Sequence, residues 1–144
     1  MALLISVNFG IQLTVDLLAA GFAERIGYRT CIVAAHLLSA LGLLGLGLLP
    51  PLLPDPYIGL LLSVAVYAVG GGLLEVLTSP IAEACPTENK EAHMSLLHSF
   101  YCWGHVLVIL LSTAFFALVG IEHWPILACI WAILPLLNAI YLCF

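Results

Sequence analysis

Five long apolar segments, separated by short polar breaks, follow one another along the chain. A helix needs about 20 mainly apolar residues to cross the hydrocarbon core of a bilayer, and each segment reaches that length. The pattern predicts an all-α integral membrane protein, a bundle of about five transmembrane helices that forms a single domain over residues 1–144. The predicted helices cover residues 2–22, 30–49, 57–83, 93–119 and 124–144.

The breaks contain residues that end or interrupt membrane helices. The break at 23–29 carries two arginines, and the break at 85–91 is the most polar part of the chain. The break at 50–56 holds four prolines, each of which removes a backbone donor from a helical ladder. Within the third predicted helix, the three glycines at 70–72 and Pro80 predict interruptions.

Composition agrees with a lipid environment. Hydrophobic residues make up 64% of the chain and charged residues 8%, against roughly 45–50% and 25% in soluble domains. A secretory signal is excluded because apolar segments recur to the end of the chain. With three Lys and Arg in total, the chain has no basic patch for a nucleic-acid backbone, so the bilayer is the first partner expected.

The basic residues predict an orientation. Arg25, Arg29 and Lys90 all fall in the first and third breaks, and short loops that carry Lys or Arg stay on the cytoplasmic side. We therefore expect a multi-pass protein of the cell membrane, with the N-terminus outside and the C-terminus in the cytoplasm. An outside start without a signal, an odd number of spans and an apolar end at Phe144 predict that the chain is a fragment of a longer protein.

Deep polar residues mark the first predicted helix. Asn8, Gln12 and Asp16 follow at four-residue steps, which places them on one helix face. An ionisable side chain at membrane depth costs several kcal/mol and is a functional hypothesis by default. In the alternative interpretation, Asp16 lies near the cytoplasmic boundary and pairs with the loop that carries Arg25.

Further polar residues lie in the third and fourth predicted helices. Glu75 is the best candidate for a proton- or substrate-binding carboxylate, with a structural hydrogen bond to the first or fourth helix as the alternative. His98, Tyr101 and His105 share a face, and His98 is predicted to bind a ligand or another helix. Helical metal pairs lie three or four residues apart with a carboxylate partner, so neither a metal nor a cofactor is predicted. The predicted substrate-binding residues are Gln12, Asp16, Glu75, His98 and Tyr101.

The distribution of these residues predicts the arrangement of the helices. The first, third and fourth helices carry the deep polar side chains, whereas the second and fifth are almost purely apolar. We expect the first group to line a cavity and the second group to be peripheral.

Two stretches resemble a known family. The loop at 21–29 is similar to the signature between the second and third helices of the major facilitator superfamily, in which a glycine, an acid, an arginine, a glycine and a basic residue recur. The glycines at 70–72 through Pro80, followed by residues 94–101 and Gly104, resemble the fourth and fifth helices of its fucose-permease-like branch. The typical asparagine of the fourth helix corresponds to Glu75, so the solute class stays open.

This resemblance implies helices two to six of a twelve-helix secondary transporter that moves a small polar solute by alternating access. Sugars are one candidate class, H⁺ or Na⁺ is the candidate coupling ion, and the remainder of the carrier is an implied partner. The family also implies that the loop acts as a cytoplasmic latch, which biases the transport cycle without touching the solute. The latch residues are Glu24, Arg25, Gly27 and Arg29.

Two other classes remain as alternatives. A self-contained membrane scaffold or assembly protein would be stable as five helices. A membrane-embedded enzyme would need converging catalytic groups, and the sequence offers neither a metal-ligand set nor a nucleophile beside a base. We therefore do not predict an enzyme.

Overall fold

The computed structural model describes residues 2–144, and for Ala20 the backbone alone. This part of the chain is helical and contains no strand. Its helices are α1 (Ala2–Ile26), α2 (Tyr28–Leu52), α3 (Pro56–Ala84), α4 (Lys90–Val119) and α5 (Trp124–Cys143), with a 3-10 turn at Ile121–His123 before α5. All five α-helices are long and apolar enough to cross a membrane, so the predicted all-α multi-pass fold is confirmed. Met1, which the predicted topology places outside, lies beyond the described residues.

Local side chains fix where α3 and α4 begin. The Asp55 carboxylate accepts a hydrogen bond from the backbone N–H of Tyr57 at 2.9 Å, and Pro56 occupies the first turn. The Asn89 side chain accepts one from the backbone N–H of Ala92 at 3.0 Å. Such caps satisfy donors that a helix N-terminus leaves unpaired. Both caps lie in the polar breaks that the sequence pattern identified.

Three helices continue where the sequence predicted an end or an interruption, and the first of them, α1, runs to Ile26 instead of ending at residue 22. α2 extends through Pro50 and Pro51 to Leu52. The two prolines interrupt the hydrogen-bond ladder only in the last turn, beyond which the helix ends. α3 runs without a break through the glycines at 70–72 and through Pro80. Glycine and proline are tolerated in membrane helices, where neighbouring helices support the backbone. The predicted interruptions of α3 are therefore wrong.

The closest helix contact joins α2 to α3, and glycines make it possible. A Cβ atom added at Gly42 would collide with the backbone of Tyr67, and one added at Gly59 would lie 2.9 Å from the Leu49 carbonyl carbon. Small residues allow this approach, which is how membrane helices gain packing energy without a hydrophobic driving force. The antiparallel α2–α3 pair is thus the packing centre of the molecule.

α1 and α5 pack on opposite sides of this pair. α1 lies against α3, and a buried cluster joins Ala19 and Ala23 of α1 to Leu73 and Leu77 of α3. α5 lies against α2, where a Cβ atom added at Gly47 would be 2.8 Å from the carbonyl oxygen of Pro125. The order of packed helices is therefore α1, α3, α2 and α5.

α4 lies apart from this row. None of its residues from Lys90 to Val119 is buried, and among the described residues it touches only α3, α5 and the 3-10 turn. The predicted arrangement is wrong in this respect, because the apolar α2 is enclosed while the polar α4 is not. Polarity identified helices that need a partner, whereas small residues determine which helices approach each other closely.

Candidate functional site

The polar stripe of α1 faces α3 at the run of three glycines. Gln12 Nε2 lies 3.0 Å from the position that a Cβ atom of Gly71 would take. Asp16 Oδ1 lies 3.3 Å from the corresponding position at Gly72. Since glycine leaves this space open, the polar groups of α1 lie directly against the backbone of α3. The structure thus brings two predicted binding residues, Gln12 and Asp16, to one helix interface.

Two oxygens of the stripe are buried without a hydrogen-bond partner. They are Oδ1 of Asn8 and Oδ1 of Asp16, which lie two helical turns apart on the same face of α1. Buried polar atoms in native proteins are nearly always satisfied, so each exception needs an explanation. A water molecule, a polar group of another helix, a proton or a bound polar molecule would satisfy an oxygen of this kind.

A small open cavity of about 250 Å³ reaches the stripe at Asn8. Its walls come from three helices and include Asn8 of α1, Leu46 of α2, and Val64 and Tyr67 of α3. The walls are mainly apolar, and the Asn8 amide is a polar group among them. Small-molecule sites have this composition, in which apolar walls enclose a few oriented polar groups. The cavity and the stripe together form the candidate site.

Glu75 lies one turn beyond Gly71 on α3 and its residue is exposed. Because α1 and α3 are parallel, the step from Gln12 to Asp16 matches the step from Gly71 to Glu75. The two carboxylates are therefore at a similar depth on neighbouring helices, with one oxygen of Asp16 buried. A proton- or substrate-binding role for Glu75 stays a prediction, which this shared depth favours.

The structure does not pair Asp16 with Arg25, whereas the position of Asp16 near the cytoplasmic boundary stays a prediction. Both Asp16 and Arg25 belong to the continuous helix α1, where nine residues correspond to about 13 Å along the axis and to opposite faces. A side-chain ion pair does not span that separation. Asp16 therefore keeps the unsatisfied oxygen that makes it a functional candidate.

The predicted residues of α4 lie away from this interface. His98 and Tyr101 are exposed, and the Tyr101 ring packs against the His105 ring at 4.6 Å between centroids. Nδ1 of His105 lies 3.3 Å from the carbonyl oxygen of Tyr101. The structure does not enclose these residues together with Gln12 and Asp16. Their predicted role in solute binding remains a prediction.

The loop between α1 and α2 depends on Gly27. Its φ of +99° is a conformation that other residues rarely adopt, and it reverses the chain within a single residue. Glu24 and Arg25 lie exposed at the end of α1. Arg29 reaches from the first turn of α2 to the end of α5, where Nε and Nη2 donate to the carbonyl oxygens of Leu142 and Cys143 at 3.0 and 2.9 Å. The loop is thereby fixed to a third helix, while its latch role stays a prediction.

Sequence reasoning missed Ser39 of α2. Its hydroxyl is buried without a hydrogen-bond partner and lies against Gly70, the first of the three glycines. Serine occurs commonly as a packing residue in apolar helices, so the sequence gives no reason to single it out. With Ser39, unsatisfied polar atoms flank the glycine run from both α1 and α2.

The geometry therefore favours the interface of α1 and α3 over α4 as the place where a polar ligand or ion would bind. The likeness of the 21–29 loop to the major facilitator signature rests on those residues alone and remains a prediction. Comparison with known proteins gives no matching family model, no matching curated protein and no matching solved structure.

Proposed function

We propose that this chain is part of a secondary transporter of the major facilitator type, in which α1 and α3 line the path of a small polar solute. The observation that carries the proposal is the pair of unsatisfied oxygens, Asn8 Oδ1 and Asp16 Oδ1, on one face of a membrane helix. A buried polar atom without a hydrogen-bond partner costs about 1–3 kcal/mol, so a ligand that supplies the missing partner would gain affinity from these two oxygens. Solute hydroxyls or a coupling proton would satisfy them during transport.

The path would start at the small cavity beside Asn8. Gln12 and Asp16 pack against Gly71 and Gly72 of α3 in this structure, so a solute would reach them only when α1 and α3 move apart. Glu75, at the depth of Asp16, is the proposed second carboxylate for exchanging a proton. Transporters commonly place solute and coupling-ion sites near the middle of the membrane between helices of this kind.

Binding to the purified chain tests this proposal. The panel consists of neutral monosaccharides, polyols and zwitterionic amino acids, and the readout is thermal unfolding in detergent. A ligand at ten times its Kd stabilises the folded state by about 1.4 kcal/mol, so at least one member should raise the unfolding temperature. Asp16→Asn should abolish that increase, and Glu83→Gln, which changes an exposed carboxylate at the end of α3, should preserve it. An unresponsive panel, or an Asp16→Asn variant that responds like the parent, would contradict the proposal.

A second candidate function is assembly with another membrane chain, and α4 is the observation that favours it. All residues of α4 lack burial, and the helix nevertheless carries His98, Tyr101 and His105 within its apolar length. Polar groups that face lipid are costly and find partners on neighbouring helices. Cys102 lies exposed on α4 and serves as a native reporter. Oxidative cross-linking in membranes should give a disulfide dimer through Cys102 if copies pair along α4, and Cys102→Ser should remove it.

A further inference from the structure

Two helices of this chain carry the same local pair, a glycine followed four residues later by a hydroxyl that bonds back to it. On α1, the Thr14 hydroxyl donates to the carbonyl oxygen of Gly10 at 2.7 Å. On α3, the Ser63 hydroxyl donates to the carbonyl oxygen of Gly59 at 2.7 Å. A hydroxyl bonded in this way slightly destabilises a helix and often bends it, and glycine is a poor helix former. Each pair therefore weakens its helix locally.

Packing against a neighbouring helix distinguishes the two pairs. A Cβ atom added at Gly59 would lie 2.9 Å from the Leu49 carbonyl carbon, and Ser63 is buried. Close contact with α2 thus explains the glycine on α3 and supports the backbone there. A Cβ atom added at Gly10 would meet nothing within 4 Å, and Thr14 is exposed. Packing therefore gives no reason for a glycine at position 10, and nothing described supports the weakened turn from that side.

The parts of α1 before and after this pair differ in their contacts. After it, Ala19 and Ala23 belong to the buried cluster that joins α1 to α3, and Val15 packs against that cluster. Among the described residues, none of 2–9 takes part in the cluster. Four residues of 2–9 instead line the small cavity whose other walls belong to α2 and α3. The weakened turn thus separates a closely packed part of α1 from a loosely packed part.

The polar stripe of α1 lowers the cost of separating the loosely packed part. Oδ1 of Asn8 is buried without a hydrogen-bond partner, and exposure to water would remove that cost. Gln12, which lies within the weakened turn, contacts only the open space left by Gly71 at its Nε2 end. The contact at this level is therefore less favourable than the apolar contact of Ala19 and Ala23 with α3.

We propose that residues 10–14 form a hinge in α1, about which residues 2–9 swing away from α2 and α3 while residues 15–26 stay packed on α3. The role of this hinge rests on the proposed transport function. Its opening would enlarge the cavity beside Asn8 toward Gln12 and give a solute access to Asp16 one turn further. Closing would return α1 to the position seen in this structure.

Amide hydrogen exchange of the purified chain in detergent, resolved by NMR and measured without solute, tests the hinge. Amides of residues 13–16 should exchange faster than those of 7–9 on one side and 19–23 on the other, because bending breaks hydrogen bonds only at the hinge. Gly10→Ala should slow exchange at 13–16 about threefold to fivefold, since alanine is the better helix former. Thr14→Val removes the hydroxyl and should also slow it.

Gly21→Ala is the matched control. A Cβ atom at Gly21 also meets nothing within 4 Å, so the variant adds the same methyl group to α1 beyond the hinge and should leave exchange at 13–16 unchanged. The pair on α3 is the internal reference, and amides of residues 62–65 should stay slower than those of 13–16.

Three results would overturn the hinge. A steady fall in exchange rate from residue 6 to residue 19 would show fraying of the helix end. Equal slowing at 13–16 by Gly10→Ala and Gly21→Ala would show a general stabilisation of α1. Equal exchange at 13–16 and 62–65 would show that packing does not control either pair. Because no solute is present, these results bear on the hinge alone, whereas a solute panel without a response contradicts the transport proposal alone.

Discussion

The α2–α3 pair and α4 are both apolar and long enough to cross a membrane. They differ in burial and in how closely they approach their neighbours. In the pair, glycines allow backbone to meet backbone, as at Gly42 and Tyr67. In α4, a Cβ atom added at Gly104 would meet nothing within 4 Å, and no residue is buried. Membrane helices therefore pack according to the small residues at their interfaces, because hydrophobicity does not distinguish a protein neighbour from lipid.

The sharpest test of this contrast is to add the same side chain to both regions. Gly42→Leu should destabilise the chain by about 3 kcal/mol, since overpacking of a close contact costs roughly 1–3 kcal/mol and here the obstacle is backbone. Gly104→Leu is the matched control, and it should be neutral or stabilising by up to about 1 kcal/mol because leucine is the better helix former. Denaturant unfolding in mixed micelles gives both values. Equal effects would show that the α2–α3 contact does not hold the fold together.

The second test concerns the unsatisfied oxygen on α1. Asp16→Ala removes a buried acceptor that has no partner, so it should raise the free energy of unfolding by about 1–2 kcal/mol while abolishing any solute binding. His98 of α4 is exposed, so His98→Ala should change the free energy of unfolding by less than about 0.5 kcal/mol. The same unfolding assay measures both variants. Destabilisation by Asp16→Ala would mean that the carboxylate has a structural partner, and the proposed binding role would lose its main support.

The sequence predicts the five helices but not which of them pack closely together. Polar breaks and runs of apolar residues predict the five helices, because helices must satisfy their own backbone in lipid. The position of α2 between α3 and α5 was not predicted, because the glycines at 42, 45 and 47 do not reveal in the sequence which helix they face. The four-residue spacing placed Gln12 and Asp16 on one face of α1, but only the structure shows α3 against them. The exposure of His98 likewise depends on tertiary contacts that α4 lacks.

A third test compares local stability by amide hydrogen exchange in detergent. Exchange reports local opening, which is easiest where few buried contacts hold an element. Amides of α4 between 95 and 115 should exchange faster than those of α3 between 63 and 77, where Ser63, Ala68 and Leu77 are almost fully buried. Equal protection would indicate that α4 is covered in solution, as expected if it pairs with another copy. Repeating the measurement with Cys102→Ser, which prevents a disulfide at that position, would separate a covalent dimer from packing.

The smallest expected effect comes from the one side-chain hydrogen bond between α4 and α5 among those that the structure describes. The indole Nε1 of Trp131 donates to the hydroxyl oxygen of Ser112 at 3.2 Å, and both residues are half-buried. Bonds of this kind in membrane proteins contribute about 0.6 kcal/mol, so a double-mutant cycle with Trp131→Phe and Ser112→Ala should give a coupling energy near that value. Trp103→Phe, which changes a tryptophan that is 71% exposed, should show no coupling to Ser112→Ala.

Because α4 has so few other contacts, even this weak bond should influence its position. Loss of the bond should therefore speed amide exchange along α4 more than it lowers global stability, whereas an equal change along α3 would show that α4 belongs to the cooperative core.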